Sequence, residues 1–380
     1  MANIIFRYYK KGDERQLAAL FNLTFGTNGG PVRSTKNWIW RYLQSPGFEP
    51  EMCHIAEDSD SKKIIGAVYA NLLETVPIQD KNYLIGEIND VSCHPDYRRQ
   101  GIATILMERA INYMRQKGCD FSILSAAYNG FARKNIYLKL GYYDFARSSH
   151  FIHFPNLFQL FRNIIGLGIL IPVFFTISYI PRFITRLSIK NNHFFRDFSY
   201  EINNNRKHFK YRKIINQIIP KYYEGFPKYS KLKYLWARVK VPSKQREPTY
   251  ILIKKGNMNI GGAVITYHNI FSSNLGFKIR IGDVHEIFID KSKFNNQMNL
   301  FLGYKYLIDK VLKAATRRFL GVLMFEGTKK DYMLNKALKG MHFLHIQNSV
   351  IMIKELKDGV KFPKITKPLF VPTYVTLGFP

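Results

Sequence analysis

Thirteen consecutive residues hold the groups best placed to do chemistry: Val91-Ser92-Cys93-His94-Pro95-Asp96-Tyr97-Arg98-Arg99-Gln100-Gly101-Ile102-Ala103. They read as a strand end, a tight turn and the start of a helix. A helix start leaves several backbone N–H groups without intrahelical partners, and the helix dipole adds positive potential there. Such a turn binds a phosphate or pyrophosphate. Arg98 and Arg99 add charge to it, and Gly101 lets the backbone approach a ligand closely because it has no Cβ. Ile102, Ile105, Leu106, Ala110 and Tyr113 then recur at helical spacing and predict a buried helix face. Cys93 and His94 suggest a nucleophile with its base. Neighbours on a strand face opposite ways, so they do not form that pair.

The flanking sequence supplies elements that would position this turn. Asn3 to Tyr9 alternates like a strand. Asp13 is a candidate N-cap for a helix carrying Leu17, Leu20 and Phe21. His54 to Glu57 and Ile64 to Leu72 read as strands joined by Asp58-Ser59-Asp60-Ser61, and Tyr83 to Cys93 as the strand entering the turn. Downstream come a short strand, Cys119 to Ser125, and a helix from about Phe131 to Leu140. Gly141 sits where that helix would stop, and a strand follows from Tyr142 to Phe151.

The pattern Arg98-x-x-Gly101-x-Ala103 resembles the acyl-CoA-binding signature of the GNAT family of N-acetyltransferases. Asn129, Ala132, Tyr137, Leu140, Gly141 and Tyr142 resemble the family's second motif. Ala132 to Tyr137 is one residue longer than the family's usual spacing. The resemblance covers about residues 3–155. It implies an α/β (α+β) fold, a mixed and mostly antiparallel sheet flanked by helices, and an acyltransferase using acetyl-CoA as co-substrate without a metal. In such enzymes an amine attacks the thioester directly. The resemblance assigns the pyrophosphate to Arg98, Arg99, Gln100, Gly101, Ile102, Ala103 and Thr104, with Asn129 also on the cofactor. It assigns the thioester carbonyl to the strand end Val91, Ser92 and Cys93, through the backbone N–H groups of Val91 and Cys93. Tyr137 becomes the acid for the leaving thiolate. Glu87 is the first choice of base, with Asp90 and water or substrate-assisted deprotonation as alternatives.

Residues 216–356 echo residues 20–155. Trp40, Pro46, Ile64, Gly66, Ala67 and Val68 recur 196 positions later as Trp236, Pro242, Ile260, Gly262, Ala263 and Val264. Ile85-Gly86-Glu87-Ile88 recurs as Ile281-Gly282-Asp283-Val284 at the same offset, and Leu140-Gly141 as Leu338-Lys339-Gly340 with a small shift. Phe294-Asn295-Asn296-Gln297 stands where the arginines and glycine of the signature would be, and Lys336 falls near the place of Tyr137. The second copy therefore reads as a GNAT-like companion that has lost the chemistry. The expected order is a catalytic domain over 1–155, a connector over 156–215, a degenerate GNAT-like domain over 216–360 and a tail over 361–380.

The net charge of +30 is uneven. Residues 1–150 hold 19 Lys and Arg against 15 Asp and Glu, a net +4, which leaves +26 for the rest. That field predicts an anionic neighbour: a nucleotide or lipid carrier, a membrane surface or a nucleic acid. No nucleic-acid-binding motif is visible, which speaks against the last. Residues 163–181 carry no charge. They suit a buried helix pair, an interfacial anchor or a span, although Pro172 interrupts them and a span needs about 20 apolar residues. The start of the chain lacks a signal-peptide layout, and its three cysteines form no CxxC pair. With the CoA requirement, this gives the cytoplasm, or the inner face of its membrane, as the expected location. Trp38-Ile39-Trp40-Arg41-Tyr42 with Ser45-Pro46 resembles a GNAT branch associated with sugar-amine modification. The resemblance implies a small-molecule amine acceptor, an amino sugar on an anionic carrier. Its pocket is expected in the loops Gly26 to Pro50 and Glu74 to Lys81.

Overall fold

The computed structural model describes residues 3–26, 33–72, 75–156, 171–205, 207–242, 247–272, 277–328, 330–346 and 349–370. Its first strand is β1 (Ile4–Tyr8), followed by helices α1 (Glu14–Phe25) and α2 (Thr35–Arg41). Next come β2 (Cys53–Asp58), β3 (Lys63–Leu72), the small hairpin β4 (Val76–Ile78) and β5 (Lys81–Tyr83), and β6 (Ile85–Cys93). Helix α3 (Ile102–Gln116), β7 (Phe121–Ala127) and β8 (Tyr143–His153) complete this half. Asp13 does not cap α1; its carboxylate is taken by Arg7, at 2.7 and 2.9 Å, and by the Lys10 N–H.

The second half repeats the order. It comprises β9 (Phe198–Asn203), β10 (Thr249–Lys255), β11 (Met258–Ser272), β12 (Phe277–Ile289), β13 (Val322–Thr328), β14 (Leu344–Ile346) and β15 (Ser349–Glu355). The long helix Gln297–Arg317 stands where α3 stands in the first half. Both halves join one 13-stranded sheet in the order β1-β2-β3-β6-β7-β15-β8-β13-β12-β11-β10-β9, with β14 pairing β8. The two parallel contacts, β6 with β7 and β12 with β13, correspond across the repeat.

The halves trade strands at their seam. β15 lies between β7 and the first part of β8, pairing Ser349–Glu355 with Ala127–Phe121 and Val350–Ile353 with Arg147–Tyr143. The second part of β8, Ser148–His153, pairs β13 instead. Val350 and Met352 are fully buried in the core formed by α3, Val68, Ile88 and Leu124. Phe151 of β8 is buried in the opposite core, with Leu307, Val311 and Leu323. Repeat-related residues meet at the seam: the Ser148 and Ser349 hydroxyl oxygens lie 2.7 Å apart. Trp40 and Trp236 stack at 5.5 Å, and each indole N–H donates to the other's backbone carbonyl, at 3.0 and 2.6 Å. A pseudo-two-fold axis therefore relates the halves.

The helices sort by sheet face. Ile102, Leu106, Ala110 and Tyr113 of α3 are buried as their spacing predicts, while Ile105 is exposed. The opposite face carries α1 and α2, through Leu17, Leu20, Trp38 and Tyr42. Of the uncharged run, residues 163–170 lie outside the described residues. The remainder enters a helix, Ile171–Lys190, anchored where Arg182 and Arg186 bind Asp309 at 2.9 and 3.1 Å. Tyr179, Ile180, Phe183, Ile184 and Leu187 form its exposed face. Among the described residues no helix is long and apolar enough to cross a membrane.

Candidate active site

The signature turn folds as its residues dictate. Gly101 begins α3 at φ +78°, a left-handed conformation that glycine adopts without strain, and no side chain caps the helix. The first intrahelical bond runs from the Ile105 N–H to the Gly101 carbonyl, so the amides of Ile102, Ala103 and Thr104 face outward from the helix start. Arg98, Arg99 and Gln100 are exposed around it, and the Arg98 Nε–H reaches back to the Cys93 carbonyl at 3.4 Å. Asn129 is exposed on the turn after β7.

β6 and β7 part beside this turn. Their pairing stops at Glu87 and Ile123, although β6 runs on to Cys93 and β7 to Ala127. On its other edge β6 stays paired with β3, and the His94 N–H donates to the Ile65 carbonyl. Amides alternate sides along a strand, so those of Cys93 and Val91 point to the edge that β7 has left. Ser92 is buried and donates its hydroxyl hydrogen to the Ala67 carbonyl. The Cys93 thiol lies against the His94 and Tyr97 carbonyls and is shifted upward by burial.

Glu87 sits where the strands separate. It is 3% exposed, and its Oε1 makes no hydrogen bond. Burial pushes its carboxyl up to about 8, against the opposing effects of Asn89, Arg41 and Lys233. Lys233 belongs to the second half, so both halves tune this group. Asp90 fares differently. A register shift in β6 sets Asp90 at φ +49° and breaks the alternation that would send it to the face opposite Glu87. Its carboxylate binds both Nη atoms of Arg33 and the Tyr42 hydroxyl, with Arg41 at 4.0 Å. Arg33 and Arg41 hold it below the usual carboxylate range despite burial. A carboxylate so engaged makes a poor proton acceptor.

Tyr137 is buried in the α3 core, its ring 6.3 Å from Tyr142 and edge-on. Burial alone raises its phenol, which keeps it protonated at neutral pH. The extra residue between Ala132 and Tyr137 has a visible cause: Arg133–Tyr137 forms a π-helical turn, with the Leu138 N–H bonded to the Arg133 carbonyl. A π turn absorbs one inserted residue without displacing the flanks.

Sequence reading missed the Arg33–Asp90–Tyr42 cage. The signal was the repeat offset itself. Shifted by 196 positions, the same three places hold Tyr229, Glu286 and Arg238. Glu286 there accepts from the Tyr229 hydroxyl at 2.9 Å and from Arg238 at 2.5 Å. Arginine and tyrosine have changed places around a retained carboxylate.

Residues 6–144 match the model of the acetyltransferase (GNAT) domain. Among solved structures, the chain is similar to N-myristoyltransferase from Saccharomyces cerevisiae with bound myristoyl-CoA. Identity is 10% and the TM-score 0.68, covering 93% of this chain and 83% of that one. It is also similar to a GCN5-related N-acetyltransferase from Anabaena variabilis, at 11% identity and a TM-score of 0.57, covering 93% and 73%. Identities this low show likeness of fold. A comparison with curated proteins finds no match. Residues 6–144, which hold the signature loop, thus match a GNAT acetyltransferase domain, and a second half of like strand order shares its sheet.

Proposed function

We propose that this chain moves an acetyl group from acetyl-CoA to the primary amine of a small molecule, an amino sugar in our reading, by direct attack in the first half. The observation that carries this is Glu87: a buried carboxyl, titrating near neutrality, at the point where β6 and β7 part beside an uncapped helix start. A base of that pKa suits removing a proton from an ammonium at physiological pH. The Val91 and Cys93 amides would polarise the thioester carbonyl. The amides of Arg99 to Thr104 would hold the pyrophosphate, and Tyr137, kept protonated by burial, would return a proton to the thiolate. The need for acyl-CoA goes with a cytoplasmic location.

The second half serves as a non-catalytic companion in this reading. Its helix start is closed: the Asn296 side chain accepts from the Asn299 N–H at 2.8 Å. Phe294 packs so tightly on Gly303 that a Cβ there would lie 2.3 Å from its ring. Titration of the full chain with acetyl-CoA is expected to give one site. Gly101→Val should weaken that site at least tenfold, because a β-branched residue is strained at φ +78° although space around it is open. Two sites, or unchanged affinity, would count against the assignment. Preference for myristoyl-CoA over acetyl-CoA would overturn the acetyl reading.

A second reading concerns location. The exposed apolar face of Ile171–Lys190 and the excess positive charge beyond residue 150 support contact with an anionic membrane surface. Retention on phosphatidylserine vesicles at low salt, lost at high salt, is the expected result. No retention at low salt removes this reading.

A further inference from the structure

Strand β6 reverses its alternation at one residue, and a buried ion pair holds it there. The N–H and C=O of a residue point to the same side of a strand, and successive residues alternate. Just before β6, the Leu84 carbonyl accepts from the Asp120 N–H, on the β7 side. Even-numbered residues from there turn to β7 and odd-numbered ones to β3. At the far end the His94 N–H donates to the Ile65 carbonyl of β3, so even-numbered residues there turn to β3. The order inverts between Asn89, opposite Tyr69, and Ser92, opposite Ala67: Asp90 and Val91 share the place of one β3 residue, Val68. This is a β-bulge, which re-aims the groups beyond it. In an unbroken strand the N–H groups of Val91 and Cys93 would be spent on β3. The bulge frees them for the edge that β7 has left.

We propose that Asp90, Arg33 and Tyr42 are positioning residues for acetyl transfer: their cage holds the bulge, and the bulge aims the Val91 N–H at the thioester carbonyl. The inference rests on the acetyl-transfer reading and names what orients its amide donor.

Asp90 holds φ +49°, which a residue with a side chain keeps only where its surroundings enforce it. Arg33, its side chain fully buried, binds the carboxylate through both Nη atoms. Asn22 of α1 fixes the Arg33 backbone, donating to its carbonyl at 2.9 Å and accepting from its N–H at 2.7 Å. The Tyr42 hydroxyl donates to the same carboxylate, and its ring stacks at 4.0 Å on Tyr69, the β3 residue next to the bulge. The cage thus ties β6 and β3 to α1 and the end of α2. It also settles the charge. A lone carboxylate beside Val91 would oppose negative charge developing on the carbonyl oxygen; Arg33, and Arg41 at 4.0 Å, offset it. In the second half Glu286, held by Tyr229 and Arg238, adjoins the matching bulge of β12, between the pairs Val264–Glu286 and Ile265–Val284. Gripping a bulge is therefore common to both halves, and the first half adds an open helix start where the second has a capped one.

The test binds acetyl-CoA, isotope-labelled at its carbonyl, to the full chain and reads the thioester stretch by difference infrared spectroscopy. A well-aimed N–H lowers that stretch below its value in water. Asp90→Ala should lose most of the lowering. Asp90→Gly should do the same, because glycine adopts the backbone angle but binds neither Arg33 nor Tyr42. Asp90→Asn keeps an acceptor and tolerates the left-handed backbone, so it should restore a good part. Tyr42→Phe keeps the stacked ring and should lose a smaller part. Affinity for CoA, which has no thioester, should stay unchanged in all four. Asp90→Gly with the wild-type stretch would overturn the proposal. CoA affinity lost in step with the stretch would show a role in the fold alone and overturn it too. If the Asp90 variants do not fold, Tyr42→Phe decides, and a wild-type stretch there overturns the proposal. A wild type that does not bind acetyl-CoA, or binds it without lowering the stretch, would instead defeat the acetyl-transfer reading.

Discussion

Glu87→Gln should lower the rate of acetyl transfer by two to three orders of magnitude, the usual worth of a positioned base, and should abolish the rise in rate as pH climbs through about 8. The amide keeps the shape and removes the proton acceptor. The same change should act on stability with the opposite sign. An unfolded Glu87 titrates near 4.5, the folded one near 8. Below 4.5 both states hold the proton. Between 4.5 and 8 the unfolded chain releases it while the folded chain keeps it, so the wild type loses about 1.4 kcal/mol of stability per pH unit from this group. Above 8 the loss levels off. The variant has no such term, so its stability should fall less between pH 5 and 8 than that of the wild type. Paired pH–rate profiles and urea denaturation at pH 5 and 8 check both halves of the expectation. A variant with unchanged rate and pH profile would remove Glu87 from the mechanism.

A fragment ending at residue 155 should fail to fold cooperatively, although it contains the whole signature. It lacks β15, which lies between β7 and β8 and pairs with both. Val350, Ile351, Met352 and Ile353 are each at most 2% exposed in the intact chain, so the fragment leaves an apolar slot and two open strand edges. Broad, non-cooperative thermal unfolding by circular dichroism is the expected result. Appending Leu344–Glu355 through a flexible linker should restore a sharp transition. A fragment that melts cooperatively and binds acetyl-CoA without that strand would show β15 to be dispensable.

What could be read from the sequence was local. The helix start at Arg98 to Ala103 was legible because Gly101 precedes an amphipathic pattern, and Gly101 is its left-handed N-cap. The unusual spacing before Tyr137 was legible, and a π turn is its physical form. The repeat offset correctly paired Trp40 with Trp236 without revealing that they touch. Partner choice was invisible. The apolar run of β15 has the same pattern whichever strands flank it, so exchange between halves leaves no periodic trace. The bulge at Asp90 was equally hidden, because strand alternation assumes a regular strand. The cluster of Ser148, His150, Glu326 and Ser349 joins residues about 200 positions apart, which only tertiary structure brings together.

A two-fold relation between copies that trade their final strands is the geometry of a domain-swapped homodimer. Here one polypeptide encodes both subunits. In a true homodimer every substitution appears twice, so a residue that closes one helix start closes both. Fusion lifts that constraint. Gly101 could stay while its counterpart became Gln297, and Arg33 and Tyr42 could stay while theirs became Tyr229 and Arg238. Because the strands remain interlocked, neither copy can be lost, whatever it has ceased to do. Divergence is free at the sites and forbidden at the seam.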